Sequence, residues 1–312
     1  MGTTGRQALI DEIKRLKAEK NAIILAHYYV DGEIQDVADY VGDSLALAQT
    51  AASKGADADI IVMCGVNFMG ETVKMLCPDK KVLVPDDNAG CTLASGCPAA
   101  KLRAFIAEHP GHTVVSYVNT TLSVKALSDL LVTSSNAVRI VDSLPADEKI
   151  IFGPDRNLGR YIMEQTGREM LLWDASCYVH SRFDPEGITR LKAQHPGAKV
   201  LVHPECPKAV VELADKVGST KALLDYSAAD TATTFIVATE KGILHMMRKL
   251  SPGKKFIEAP AIYGVRNECR YMKYNTLEKL AACLRDEAPV VTVDAEVAER
   301  ALKPLERMLK LS

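Results

Sequence analysis

Lys199-Val200-Leu201-Val202-His203-Pro204-Glu205-Cys206 is a short β-branched run of strand length that stops abruptly in His-Pro-Glu. Seventeen residues beyond His203, Gly218-Ser219-Thr220 opens a helical pattern, and Cys269 follows further on. The same arrangement occurs twice earlier. Ala22-Ile23-Ile24-Leu25-Ala26 leads into His27, with Ser44 seventeen residues on and Cys91 beyond it. Thr113-Val114-Val115-Ser116 leads into Tyr117, with Ser134 seventeen residues on and Cys177 beyond it. One spacing from a strand end to a small hydroxyl residue, three times over, marks an internal triplication with a period of about 90 residues.

Each repeat carries further apolar runs of strand length, such as Asp59–Cys64 and Lys81–Pro85, set between helical patterns. Asp31–Tyr40, 121–131 and 207–217 read as helices, each interrupted before a second helix begins. His109-Pro110-Gly111 and His195-Pro196-Gly197 are helix stops. Short apolar strands alternating with helices specify parallel sheets covered on both faces. The expected fold is therefore α/β: three similar three-layer α/β/α domains with parallel sheets around a pseudo-threefold axis. They span 1–110, 111–196 and 197–312, the last with a terminal strand at 290–293 and a helix at 295–310. Ligands of open α/β sheets bind beyond the carboxyl ends of the strands, so one central site shared by the three domains is expected.

The 312 residues carry a net charge of −2 and only 5% aromatic residues. That balance argues against a nucleic-acid partner, which needs a basic surface and stacking platforms. No apolar run approaches the roughly 18–20 residues that span a bilayer. The amphipathic, partly acidic stretch Gly5–Leu16 is neither a signal nor a transit peptide, so a cytoplasmic protein is expected. Eight cysteines there are ligands, nucleophiles or core residues sooner than disulfides.

Cys91, Cys177 and Cys269 occupy the same slot in the three repeats. Three thiolates on a shared axis would hold three corners of an iron–sulfur cube and leave one iron open as a Lewis acid. Zinc is the alternative, with His180 as a fourth ligand. Cys64 and Cys283 read as core and Cys77 as a helix end. Cys97 reads as a spare thiol near the metal, and Cys206 as a thiol beside His203. Ser44, Ser134 and Thr220 serve either as simple N-caps or as three helix N-termini facing an anionic substrate. His27, Tyr29, His203 and Glu205 form the expected acid–base group.

Together, several of these motifs resemble the quinolinate synthase family. They are Ile24-Leu25-Ala26-His27 with Tyr29, Val41-Gly42-Asp43-Ser44-Leu45, Tyr117-Val118-Asn119-Thr120, Thr133–Val138, Phe152–Gly159, Val202–Pro207, Val217-Gly218-Ser219-Thr220 and Cys269–Thr276. Tyr28 departs from the family, which commonly has Asn there, and Cys269 stands without the cysteine triplet some members carry. The resemblance implies one 4Fe-4S cluster per chain on Cys91, Cys177 and Cys269. It implies substrate contacts at His27, Ser44, Tyr117, Val118, Asn119, Ser134, His203, Pro204, Glu205 and Thr220. The implied reaction condenses iminosuccinate with dihydroxyacetone phosphate to quinolinate, with an L-aspartate oxidase or dehydrogenase as supplier. Two other readings stand beside it: an iron–sulfur hydro-lyase acting on a small polycarboxylate, and a zinc-stabilised binding protein without catalysis.

Overall fold

A strand covered on both faces must be apolar throughout, and Ile60–Cys64 and Ile150–Gly153 are buried at every position. In the computed structural model, which describes residues 3–312, such runs build three four-stranded parallel sheets. The first contains β1 (Ala22–His27), β2 (Tyr40–Gly42), β3 (Ile60–Cys64) and β4 (Lys81–Leu83). The second contains β5 (Thr113–Tyr117), β6 (Leu130–Val132), β7 (Ile150–Gly153) and β8 (Leu171–Leu172). The third contains β9 (Lys199–Val202), β10 (Lys216–Val217), β11 (Thr234–Ala238) and β12 (Lys255–Glu258). The spatial order is β2-β1-β3-β4, β6-β5-β7-β8 and β10-β9-β11-β12, one topology three times. The register repeats as well: Ala26 pairs with Cys64, Ser116 with Gly153 and Val202 with Ala238.

β2, β6 and β10 correct the sequence reading. The stretches expected as long helices are helices of four to six residues, Gly32–Val37, Leu122–Lys125 and Lys208–Val211, each followed by an edge strand. Strands of two or three residues are too short to show an alternation. An aspartate starts each one. The carboxylates of Asp39, Asp129 and Asp215 accept the N–H groups of Ile24, Val114 and Val200, all at 2.8 Å. Their own N–H groups return to the carbonyls of the same three residues, all at 2.9 Å. The chain is thereby turned outward from the first strand before it crosses to the third. That reversal makes a switch point between first and third strands, where open α/β sheets bind ligands.

The helix stops behave as expected. Helices Ala99–Glu108 and Pro185–Gln194 end at His109 and His195, and Gly111 (φ +78°) and Gly197 (φ +84°) take the left-handed turn.

The chain packs as two compact units. One comprises residues to Cys91 with Arg270–Leu302, the other Thr92–Cys269 with Lys303–Ser312. In the first unit, Leu277–Asp286 packs beside Thr3–Glu19 and is tied there by Arg285–Glu12 (2.8 Å). The expected terminal strand is a single antiparallel bridge from Val290 to Leu83. The second unit holds the second and third sheets. Among the described residues, no helix is long and apolar enough to cross a membrane.

Candidate active site

The second unit brings two switch points together. Tyr117 ends β5, His203 and Glu205 follow β9, Asp155 follows β7, and Thr239 and Glu240 follow β11. His180 enters from the loop after β8. The Ser181 N–H closes a turn on the Cys177 carbonyl (2.9 Å), which sets Cys177 Sγ 3.3 Å from His180 Nδ1.

Glu205 is the hub and is 2% exposed. The Tyr117 hydroxyl donates to its Oε1 at 2.6 Å, and His180 Nδ1 lies 2.9 Å from its Oε2. Since Nδ1 donates to the carboxylate, Nε2 of a neutral His180 accepts the Thr239 hydroxyl at 2.9 Å. Asn157 Nδ2 holds the Glu205 carbonyl at 3.0 Å. Burial pushes the Glu205 carboxyl up, but His180 and His203 beside it, with the hydrogen bonds from His180 and Tyr117, hold it down at about 2. Burial and the Glu205 carboxylate push Asp155 up to about 8, against backbone N–H groups that favour its ionised form.

His203 stacks on His180 with ring centroids 4.5 Å apart. Its Nδ1 accepts the Glu205 N–H at 3.3 Å, so the proton of a neutral ring sits on Nε2. The first unit repeats this device: the Tyr29 N–H donates to His27 Nδ1 at 3.1 Å. Tyr29 packs edge-on to His27, and Lys273 Nζ holds the Tyr29 carbonyl at 2.7 Å. Tyr28, the departure from the family pattern, is buried, and its carbonyl accepts Gln35 Nε2.

The hydroxyl residues divide. The helices Ser44–Lys54 and Thr220–Ala229 begin at Ser44 and Thr220, but their caps are Asp43, bonded to the Ala46 N–H, and Ser219, bonded to the Ala222 N–H. Simple capping thus does not account for Ser44 and Thr220. Ser134 lies in a turn before a six-residue helix that starts at Ala137, where Asn136 Oδ1 folds back onto the Thr133 N–H. Val118 and Pro204 are buried. Among the described residues, Asn119 Oδ1 and Thr120 Oγ1 are buried without a hydrogen-bond partner. They leave hydrogen-bonding capacity to fill just beyond Tyr117.

The three cysteine loops are anchored alike. The N–H groups of Asn67, Arg156 and Lys241, each three residues past a third strand, donate to the carbonyls of Ala89, Ala175 and Asn267 at 2.7, 2.9 and 3.1 Å. Each acceptor lies two residues before Cys91, Cys177 or Cys269. These three cysteines are half-buried, whereas Cys64, Cys77, Cys97, Cys206 and Cys283 are buried. Burial pushes the Cys97 and Cys283 thiols up to about 12, and Cys97 packs in an apolar cluster with Leu102 and Val124. Cys206 is fully buried, and burial, with Glu205 and Asp155 nearby, also pushes its thiol well up. Three equivalent, partly open thiols suit a soft metal group; the other five do not.

His180 as a partner of Glu205, together with Asp155, Asn157, Thr239 and Glu240, lies outside the site residues expected from sequence. A carboxyl residue two positions past an apolar run, at Asp155 and again at Glu240, is the signal that marks two of them.

Residues 11–310 match the family described as NadA, quinolinate synthetase A protein. A quinolinate synthase of Microcystis aeruginosa is 52% identical over 314 residues, covering 99% of this chain and 98% of its own length. Quinolinate synthases of Synechocystis sp. and Thermosynechococcus vestitus are each 54% identical, covering 97% of this chain and 95% of theirs.

Proposed function

Because the chain belongs to the quinolinate synthetase A family, we propose that it condenses iminosuccinate with dihydroxyacetone phosphate to give quinolinate, phosphate and water. The reaction is redox-neutral, so it calls for proton transfer and assisted loss of oxygen groups, with no electron carrier. The observation that supports it most is the buried Tyr117–Glu205–His180 network beside Cys177.

In this reading, ionised Glu205 accepts a proton from a substrate carbon or nitrogen, and Tyr117, already 2.6 Å away, donates one to a leaving oxygen. His27 and His203, each with Nδ1 engaged by backbone, present Nε2–H to substrate carboxylates. Tyr29 completes the acid–base group. Ser44, Ser134, Thr220, Val118, Asn119 and Pro204 orient the substrates, Asn119 Oδ1 through an acceptor still unfilled. Cys91, Cys177 and Cys269 hold one 4Fe-4S cluster, and the likeness of their three loops supports that assignment. When bound, the cluster supplies an open Lewis-acidic iron for a hydroxyl or carboxylate. We further read 1–110, 111–196 and 197–312 as the three repeats, the enzyme as cytoplasmic, and an L-aspartate oxidase or dehydrogenase as the source of iminosuccinate.

The zinc reading has one supporting observation: ligand atoms of Cys177, His180 and Glu205 lie within 4.8 Å of one another. Against it, both nitrogens of His180 are engaged, by Glu205 and by Thr239. Anaerobic protein should contain about four irons and four sulfides per chain and form a pyridine dicarboxylate from the two substrates. One colourless zinc and no product would overturn the proposal.

A further inference from the structure

Two of the three cysteine loops are held by a buried carboxylate besides the shared backbone bond. Asp155 and Glu240 stand at the same place in their repeats, two residues past the end of β7 and β11, and both are fully buried. Each divides its two oxygens in the same way. Asp155 Oδ2 accepts the Cys177 N–H at 3.0 Å, while Oδ1 accepts the Leu158 N–H at the start of the next helix, at 2.8 Å. Glu240 Oε1 accepts the Cys269 N–H at 3.1 Å, while Oε2 accepts the Gly242 N–H at 2.6 Å, again where a helix begins.

We propose that Asp155 and Glu240 are positioning residues that lock the backbone of Cys177 and Cys269 to the third strand of their own sheets, presenting each thiol in one orientation before any metal arrives. The proposal deepens the reading of these cysteines as cluster ligands and rests on it. Capping a helix needs one oxygen, and an exposed Ser or Asn would serve. Burying a whole carboxyl group is costly unless both oxygens are occupied. Finding the second oxygen on the cysteine amide twice, from side chains of different length, points to that amide as the purpose. The first sheet supplies an internal control. Val66 stands at the equivalent position there, and the Cys91 loop is tied instead by Asn67 Nδ2 on the Asp87 carbonyl at 2.7 Å.

The test uses the full-length, metal-free protein and hydrogen–deuterium exchange read by mass spectrometry. D155S and E240S each keep a short capping oxygen and remove the one on the cysteine amide. D155S should speed exchange around residues 175–178 by about tenfold or more, leaving 267–270 and 89–91 unchanged. E240S should do the reverse. D155T, with the same single oxygen, replaces D155S should the latter fail to fold. After reconstitution with iron and sulfide, each variant should lose its visible chromophore in air several-fold faster than the parent. Unchanged exchange in the variant's own loop would overturn the proposal, and so would an equal rise in all three loops, which means general loosening. A parent protein that takes up no iron would sink the cluster reading alone, because the exchange result stands without metal.

Discussion

Replacing Glu205 in two ways separates its chemistry from its structural role. In E205Q the amide keeps an oxygen for the Tyr117 hydroxyl, and its NH2 group can donate to His180 Nδ1 if the ring moves its proton to Nε2. Thr239 Oγ1, 2.9 Å from that nitrogen, can then accept, so every buried partner stays satisfied. The stability cost should be smaller than that of removing the side chain's polar atoms altogether. Turnover should fall about 10²–10⁴-fold, because an amide cannot accept a proton. In E205L the Tyr117 hydroxyl and the His180 N–H both lose the carboxylate they donate to. At about 1–3 kcal/mol for each hydrogen bond to the charged group, the loss is about 2–6 kcal/mol, a large share of a domain's usual 5–15. The single tryptophan, Trp173, lies in the same unit, so urea unfolding followed by its fluorescence reports on this network. Quinolinate formation measured anaerobically gives the other axis. Full turnover in E205Q would remove Glu205 as a base. E205Q as unstable as E205L would refute the hydrogen-bond assignment.

The edge-strand clamps should be equivalent and modest. The Asp39 and Asp215 side chains are 28% and 34% exposed, so water partly replaces them, and D39A and D215A should each cost about 1 kcal/mol in urea unfolding followed by circular dichroism. Losses above 3 kcal/mol, or none, would contradict that role. Acid titration gives a further check. Glu205 is lowered from an ordinary 4.5 to about 2, so its stabilisation is complete above pH 4.5 and is lost as pH falls toward 2. Trp173 fluorescence across that window should show a smaller stability loss in E205Q than in the parent; identical acid profiles would argue against a depressed Glu205.

The central strands were legible because burial on both faces writes itself as continuous apolar runs, as in Ile60–Cys64 and Ala22–Ala26. The edge strands β2, β6 and β10 were not, since two or three residues carry no period. Their mark lay elsewhere: an aspartate fifteen residues beyond Ile24, Val114 and Val200. In the site, Tyr117, His203 and Glu205 were visible because they follow apolar runs. His180 was visible only as a candidate zinc ligand, because its bond to Glu205 joins two repeats and depends on packing between sheets, which no spacing records. Ser44 and Thr220 read equally well as caps until the neighbouring Asp43 and Ser219 proved to be the capping residues.

Iron and sulfide content with anaerobic visible absorption, measured on C91A, C177A and C269A beside C97A and C283A, decides whether three cysteines from equivalent loops hold one cluster. Each of the first three should lose the chromophore and quinolinate formation together, while C97A and C283A keep their iron. A chromophore and turnover that both survive any one of the first three substitutions would contradict that assignment.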